Sequence, residues 1–72
     1  MNFTHNNYLE TPMGDTFHIG DIVTVEYYDE YYCFQTVTGR LWFENEHMLF
    51  ISSNTCDAEI FSVNVINIKH GM

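Results

Sequence analysis

The side chains able to do chemistry in this 72-residue chain are four His and two Cys, set among ten Asp and Glu. His5, His18, His47 and His70 are scattered, and no pair stands at the i, i+4 spacing that would place two imidazoles on one helix face for a metal ion. They read as surface or turn histidines. Cys33 and Cys56 lack the close spacing of a zinc knuckle or redox pair, and each reads as a reduced, half-buried small apolar side chain. Cys33 and His47 would make a nucleophile and base if strands brought them together. Nothing in the sequence supplies a third group to orient that base, or an oxyanion site. Paired carboxylates occur at Asp29-Glu30 and around Glu44 and Glu46. Adjacent turn residues point into water, whereas general acid work needs a carboxylate desolvated in a pocket. Gly14, Gly20, Gly39 and Gly71 stand singly, so no Gly-rich phosphate loop is present. The expectation is a protein with no enzymatic activity, no cofactor and no metal.

Arg40 and Lys69 are set against the ten carboxylates, for a formal net charge of −8. Gripping DNA or RNA takes cations that displace counterions, and two cannot track a groove. Direct nucleic-acid binding is therefore disfavoured, and so is adsorption to an anionic membrane. The charge suits a protein partner with a basic surface, because complementary fields speed and orient encounter. The plainer alternative is that it keeps a small aromatic-rich protein in solution. The first residues hold no Lys or Arg and no apolar leader segment, and the run Met48 to Ile51 is too short to cross a bilayer. A cytoplasmic location, in a bacterial host, is expected.

The elements that must position these groups follow from patterning. Residues 1–72 are expected to form a single domain with a small core stapled by one Trp, five Tyr and six Phe. Residues 1–19, rich in Asn and Thr, carry Pro12, Gly14 and scattered apolar anchors at Phe3, Tyr8, Leu9, Met13, Phe17 and Ile19. That composition predicts an N-terminal arm, irregular or with one short helix. Residues 20–69 read as strands. From Ile22 to Tyr28, Val23, Val25 and Tyr27 alternate with Thr24, Glu26 and Tyr28, giving one inward and one wet face. Asp29-Glu30 forms the hairpin tip, and a longer strand from Tyr31 to Phe43 carries Gly39 where it must bend. Glu44-Asn45-Glu46 is the second turn, His47 to Ser52 a short, largely buried strand, Ser53-Asn54-Thr55 a third turn and Ala58 to Val63 the fourth strand. Asn64 marks a one-turn corner before a fifth strand with Ile66 and Ile68 in its apolar phase. The fold class expected is all-β, a small five-stranded antiparallel meander barrel, closed or nearly closed because closure removes exposed edges.

The stretches Val23-Thr24-Val25-Glu26-Tyr27-Tyr28-Asp29, Thr36-Val37-Thr38-Gly39-Arg40-Leu41, Leu49-Phe50-Ile51 and the apolar run from Ile60 to Ile68 carry a family likeness. Together they resemble the YolD-like branch of the Sm-like barrels, over roughly residues 20–69, at hydrophobic and glycine positions that SH3-like barrels share. The resemblance implies an Sm-like or SH3-like barrel and an accessory module of the kind often carried by prophages near damage-tolerance polymerases. The chain departs from the Sm pattern in having no evident amphipathic N-terminal helix and none of the basic loop residues that hold RNA.

The candidate site is a binding surface. Alternation turns Tyr28 outward beside Glu26 and Thr24, and the run Tyr31-Tyr32-Cys33-Phe34 must expose at least one aromatic ring. The loops after the first and third strands of a meander share one barrel end, so Asp29, Glu30 and Asp57 are expected to cluster there, with Glu44 and Glu46 at the other. The expected partner-binding set is Glu26, Tyr28, Asp29, Glu30, Tyr31, Tyr32, Asp57 and Glu59. Rigid aromatic anchors rimmed by charge make an interface hot spot, although tyrosines that merely cover a barrel end look alike in sequence. The function expected is a phage-type inhibitor that binds a basic site on a nucleic-acid-processing host protein, of the anti-restriction or anti-CRISPR kind. The alternative is a YolD-like accessory or assembly module that self-associates as a homo-oligomer through barrel edges, with contact through Tyr28 or Ile66 and Ile68.

Overall fold

Short alternating segments divided by turn residues assemble into an all-β architecture in the computed structural model, which describes residues 1–71. The first residues form no helix. They make strands β1 (Thr4–His5), β2 (Leu9–Glu10) and β3 (Thr16–Phe17), an antiparallel sheet in that order. Pro12 and Gly14, which argued for an irregular arm, instead build the tight turn joining β2 to β3. Gly14 takes a φ of 93° that other residues avoid, its N–H donates to the Thr11 carbonyl at 2.9 Å, and the Thr11 N–H donates to the Asp15 carbonyl at 2.9 Å. Of the six apolar anchors, Phe3, Leu9 and Phe17 enter the buried cluster, while Met13 and Ile19 are exposed. Two-residue strands are too short to display a period, which is why this stretch reads as irregular.

The second sheet contains β4 (Ile22–Tyr28), β5 (Phe34–Trp42), β6 (Met48–Ser52), β7 (Asp57–Phe61) and β8 (Val65–His70), with a single 3-10 turn, Ser62–Asn64, between the last two. Its order is β7-β6-β5-β4-β8 and every pairing is antiparallel. Val23, Val25, Leu41, Leu49, Ile51, Ile60, Val65 and Ile68 project from its concave face into one cluster with Phe3, Leu9 and Phe17. Each such side chain contributes on the order of 1.5–3 kcal/mol by leaving water. Gly39 leaves no room for a side chain, because a Cβ there would run into the Ser52 carbonyl oxygen of β6. A Cβ there would stand 2.8 Å from the Ser52 carbonyl carbon and 3.0 Å from Ile51 Cγ2, so only glycine fits.

Four details differ from the pattern-based reading, each for a local reason. The fourth strand ends at Phe61 rather than Val63, because Ser62–Asn64 turn into the 3-10 corner. The second strand begins at Phe34 rather than Tyr31, because the Asp29 side chain folds residues 29–33 into a loop. In β8 the inward residues are Val65 and Ile68, while Ile66 is exposed. Glu26 pairs with Asn67 and Tyr27 with Val65, so Ile66 is the extra residue of a bulge that resets the alternation. In β6, Leu49 and Ile51 are buried but Met48 and Phe50 are only half-buried on the convex side, so the strand is one-sided rather than largely buried.

The barrel does not close. Strands β7 and β8 are the two ends of the sheet and are joined by the 3-10 turn, not by a ladder. Both ends of β8 are tied to the N-terminal segment: the Met1 amino group donates to the Ser62 carbonyl at 2.6 Å and to the Val65 carbonyl at 3.2 Å. At the other end the His70 ring stacks on Phe17 with centroids 4.4 Å apart. Among the described residues no hydrogen bond or ring stacking ties the N-terminal segment to β7 in this way. No helix among the described residues is long and apolar enough to cross a membrane.

Candidate functional site

The loop between β4 and β5 is organised by one carboxylate. Asp29 Oδ1 accepts the N–H of Tyr31 at 2.8 Å and of Cys33 at 2.9 Å, and Oδ2 accepts from Gln35 Nε2 at 3.0 Å. The backbone closes the same loop, with the Asp29 N–H donating to the Cys33 carbonyl and the Tyr32 N–H to the Asp29 carbonyl, both at 3.0 Å. The Cys33 amide, followed by the Gln35 side chain and the Tyr31 amide, holds the Asp29 carboxyl below the usual carboxylate range. Within this loop Tyr32 takes a φ of 60°, a left-handed conformation unfavourable to a residue with a Cβ, and its side chain is 85% exposed.

This loop faces β7 across the open seam of the barrel, and between them lies a cavity of about 570 Å³. Tyr27, Tyr28, Asp29, Glu30 and Tyr32 line one wall, while Cys56, Asp57, Ala58, Glu59, Ile60 and Phe61 line the other. Tyr27 forms part of the floor, where burial first, and then the charges of Asp29 and Cys56, push its hydroxyl pKa above the ordinary value. Asp57 and Glu59 also border a second groove, of about 590 Å³, on the convex side, where Trp42 and Phe50 pack with ring centroids 5.1 Å apart.

Of the residues picked out by sequence, Tyr28, Asp29, Glu30, Tyr32, Asp57 and Glu59 line the one cavity. Tyr31 is exposed on the same loop but outside the lining. Glu26 stands apart in the body of β4, where its Oε1 accepts from Asn67 Nδ2 at 3.1 Å. Phe34, in the run expected to expose a ring but outside the expected set, is exposed and packs edge-on against Tyr28 with centroids 6.2 Å apart, whereas sequence reasoning missed Phe61, Trp42 and Phe50. Strand alternation carried the signal for Trp42, on the outward set Phe34, Thr36, Thr38, Arg40 and Trp42. Its partner Phe50 could be found only from the cross-strand register, in which Trp42, Phe50 and Glu59 fall in one row.

The charge of the cavity is uncompensated. Ion pairs among the described residues join His18 and His70 to Asp21 and His47 to Glu46, and none reaches Asp29, Glu30, Asp57 or Glu59. Neither Arg40 nor Lys69 lines it. Cys33 and Cys56 are free and exposed rather than half-buried, because both sit in loops outside the ladders. Cys33 and His47 are not brought together, since they flank opposite ends of the nine-residue β5. Among the described residues no three His, Cys, Asp or Glu side chains converge to hold a metal ion. The chain matches no protein-family model, no curated protein and no solved structure.

Proposed function

We propose that the protein is a non-enzymatic binding module, a small Sm-like or SH3-like barrel left open at one seam, which docks a basic surface of a nucleic-acid-processing protein and so blocks it. The observation that carries this reading is the cavity between the Asp29–Cys33 loop and β7, where Asp29, Glu30, Asp57 and Glu59 stand beside exposed tyrosines with no basic side chain in the lining. Rigid aromatic area with unpaired carboxylates around it favours a cationic partner in both attraction and orientation. Tyr32 adds a second line of support. A bulky residue held in a left-handed conformation, with its ring in water, costs folding free energy and contributes little packing, which is the signature of a side chain kept for contact. The sheet order, with a 3-10 turn feeding a last strand back to the first, supports the Sm-like or SH3-like reading.

The reading is tested by immobilising the protein and passing a bacterial lysate over it. Proteins retained at low salt are expected to elute with moderate salt and with added DNA, and to lose retention on the Glu30→Gln, Asp57→Asn, Glu59→Gln triple variant. None of these three side chains makes a hydrogen bond or ion pair among the described residues, so the variant leaves the fold intact. Retention that ignores salt, DNA and the triple variant contradicts the reading. The unpaired edges of β7 and β8 favour a second reading, an assembly module that self-associates, for which light scattering expects a defined oligomer.

A further inference from the structure

Among the described residues strand β7 has one side without a partner, and its pairing with β6 shows which residues face that side. The Ser53 N–H donates to the Cys56 carbonyl at 3.0 Å and the Ser62 N–H to the His47 carbonyl at 2.8 Å, which fixes the phase of the ladder at both ends. Bonded and non-bonded pairs alternate along an antiparallel ladder, so Ala58 and Ile60 direct their N–H and C=O groups to β6. Asp57 and Glu59 direct theirs into the open seam. No backbone hydrogen bond outside the ladders involves Asp57 or Glu59 among the described residues. The seam therefore offers a row of unsatisfied main-chain donors and acceptors, with a cavity of about 570 Å³ beside it.

Resting on the reading that this cavity binds a basic partner, we propose that the partner enters as an extended segment that adds an antiparallel strand to β7, with Lys or Arg alternating with apolar residues. The alternation follows from the geometry. Residues opposite Asp57 and Glu59 would exchange main-chain bonds with them and project on the same face as their carboxylates, so cations are favoured there. The residue between them would project to the side of Ala58, Ile60 and the Tyr27 ring, where an apolar side chain fits. Charge also selects against a second copy of this chain. A β7–β7 pairing would set Asp57 and Glu59 against the same residues of the other copy, in a molecule of net charge −8, whereas a cationic strand meets them with the opposite sign.

The test uses the full chain, isotope-labelled for amide NMR, and a short capped peptide alternating lysine and valine. Binding is expected to slow hydrogen exchange at the Asp57 and Glu59 amides. Methylating the peptide nitrogens of the lysines is expected to lower affinity about tenfold or more, the loss for two main-chain hydrogen bonds, while methylating those of the valines leaves it within about twofold. If both methylated peptides bind as well as the parent, yet the Glu30→Gln, Asp57→Asn, Glu59→Gln variant binds weakly, strand addition is wrong and charge-directed docking stands. No binding of the parent peptide at millimolar concentration overturns strand addition while leaving the lysate experiment to decide the broader reading. Protection of the Asp57 and Glu59 amides without peptide, growing with protein concentration, means that a second copy occupies the edge and also overturns it.

Discussion

Leu9→Ala is expected to remove a large share of the stability. Leu9 is 0% exposed, pairs with His5 on one side and Phe17 on the other, and shares a cluster with Val23, Leu41 and Ile51. Truncation of a buried leucine costs the lost transfer free energy and a cavity term, together about 2.7–5 kcal/mol. The flanking strands are two residues long and can partly collapse, so the lower end applies, about 3 kcal/mol. At about 0.05–0.15 kcal/mol per residue, 72 residues are held by about 4–11 kcal/mol, so one substitution removes roughly a quarter to three quarters of the total. With an unfolding entropy of about 2.1 cal/mol/K per residue, the same loss lowers Tm by about 20 °C. Urea titration followed by the fluorescence of the single tryptophan, Trp42, together with a thermal scan by circular dichroism, measures both quantities. Met13→Ala, in the same stretch but 88% exposed, is the control and is expected to stay within about 0.5 kcal/mol of the parent. A Leu9→Ala variant that matches Met13→Ala would refute the reasoning, because the N-terminal sheet would then lie outside the core.

Other substitutions probe the sheet and the loop. Gly39→Ala must push β5 away from the Ser52 carbonyl and Ile51, and is expected to cost about 1–3 kcal/mol, read as a Tm drop of about 7–20 °C; an unchanged Tm means the strands are not in close approach. Proline at Ala58 deletes a ladder hydrogen bond to β6, whereas proline at Glu59 deletes an N–H that faces the seam. Ala58→Pro is therefore expected to be the less stable by about 1–3 kcal/mol in urea titration, and the reverse order would place the wrong residues on the free edge. The Asp29 carboxyl has a folded-state pKa below its unfolded one, so its stabilising contribution is fully present above about pH 4 and is lost as pH falls through the folded value. A Tm-against-pH series is expected to show a shallower acid limb for Asp29→Asn than for the parent, and identical limbs would mean the carboxylate does not hold the loop.

How much was legible in the sequence depended on the length over which a pattern could express itself. Val23, Val25 and Tyr27 stood out because β4 is a seven-residue strand with one wet face. The corner at Ser62–Asn64 was legible as a change of apolar phase around Asn64. The same phase argument misplaced Ile66, because the bulge against Glu26 and Tyr27 depends on a neighbour more than thirty residues away. The two-residue strands of the N-terminal sheet carry no period, and their turns resemble loop composition. For the site, the grouping of Asp29, Glu30 and Asp57 followed from connectivity alone. Extra loop residues at Tyr31 and Tyr32 did not, since the loop forms when one carboxylate captures two backbone amides. The Trp42–Phe50 groove needed the register between β5 and β6, because the pair faces outward and cross-strand neighbours on that face cannot be read from the alternation of either strand alone.

The central claim, that the tyrosine-and-carboxylate cavity docks a cationic partner, is tested most directly by calorimetric titration of one retained partner at several salt concentrations, with the parent and the Glu30→Gln, Asp57→Asn, Glu59→Gln variant. Three partly exposed ion pairs at about 0.5 kcal/mol each predict about a tenfold weaker complex for the variant, with a flatter dependence of affinity on salt. Equal affinities and equal salt slopes for the two proteins would contradict the account.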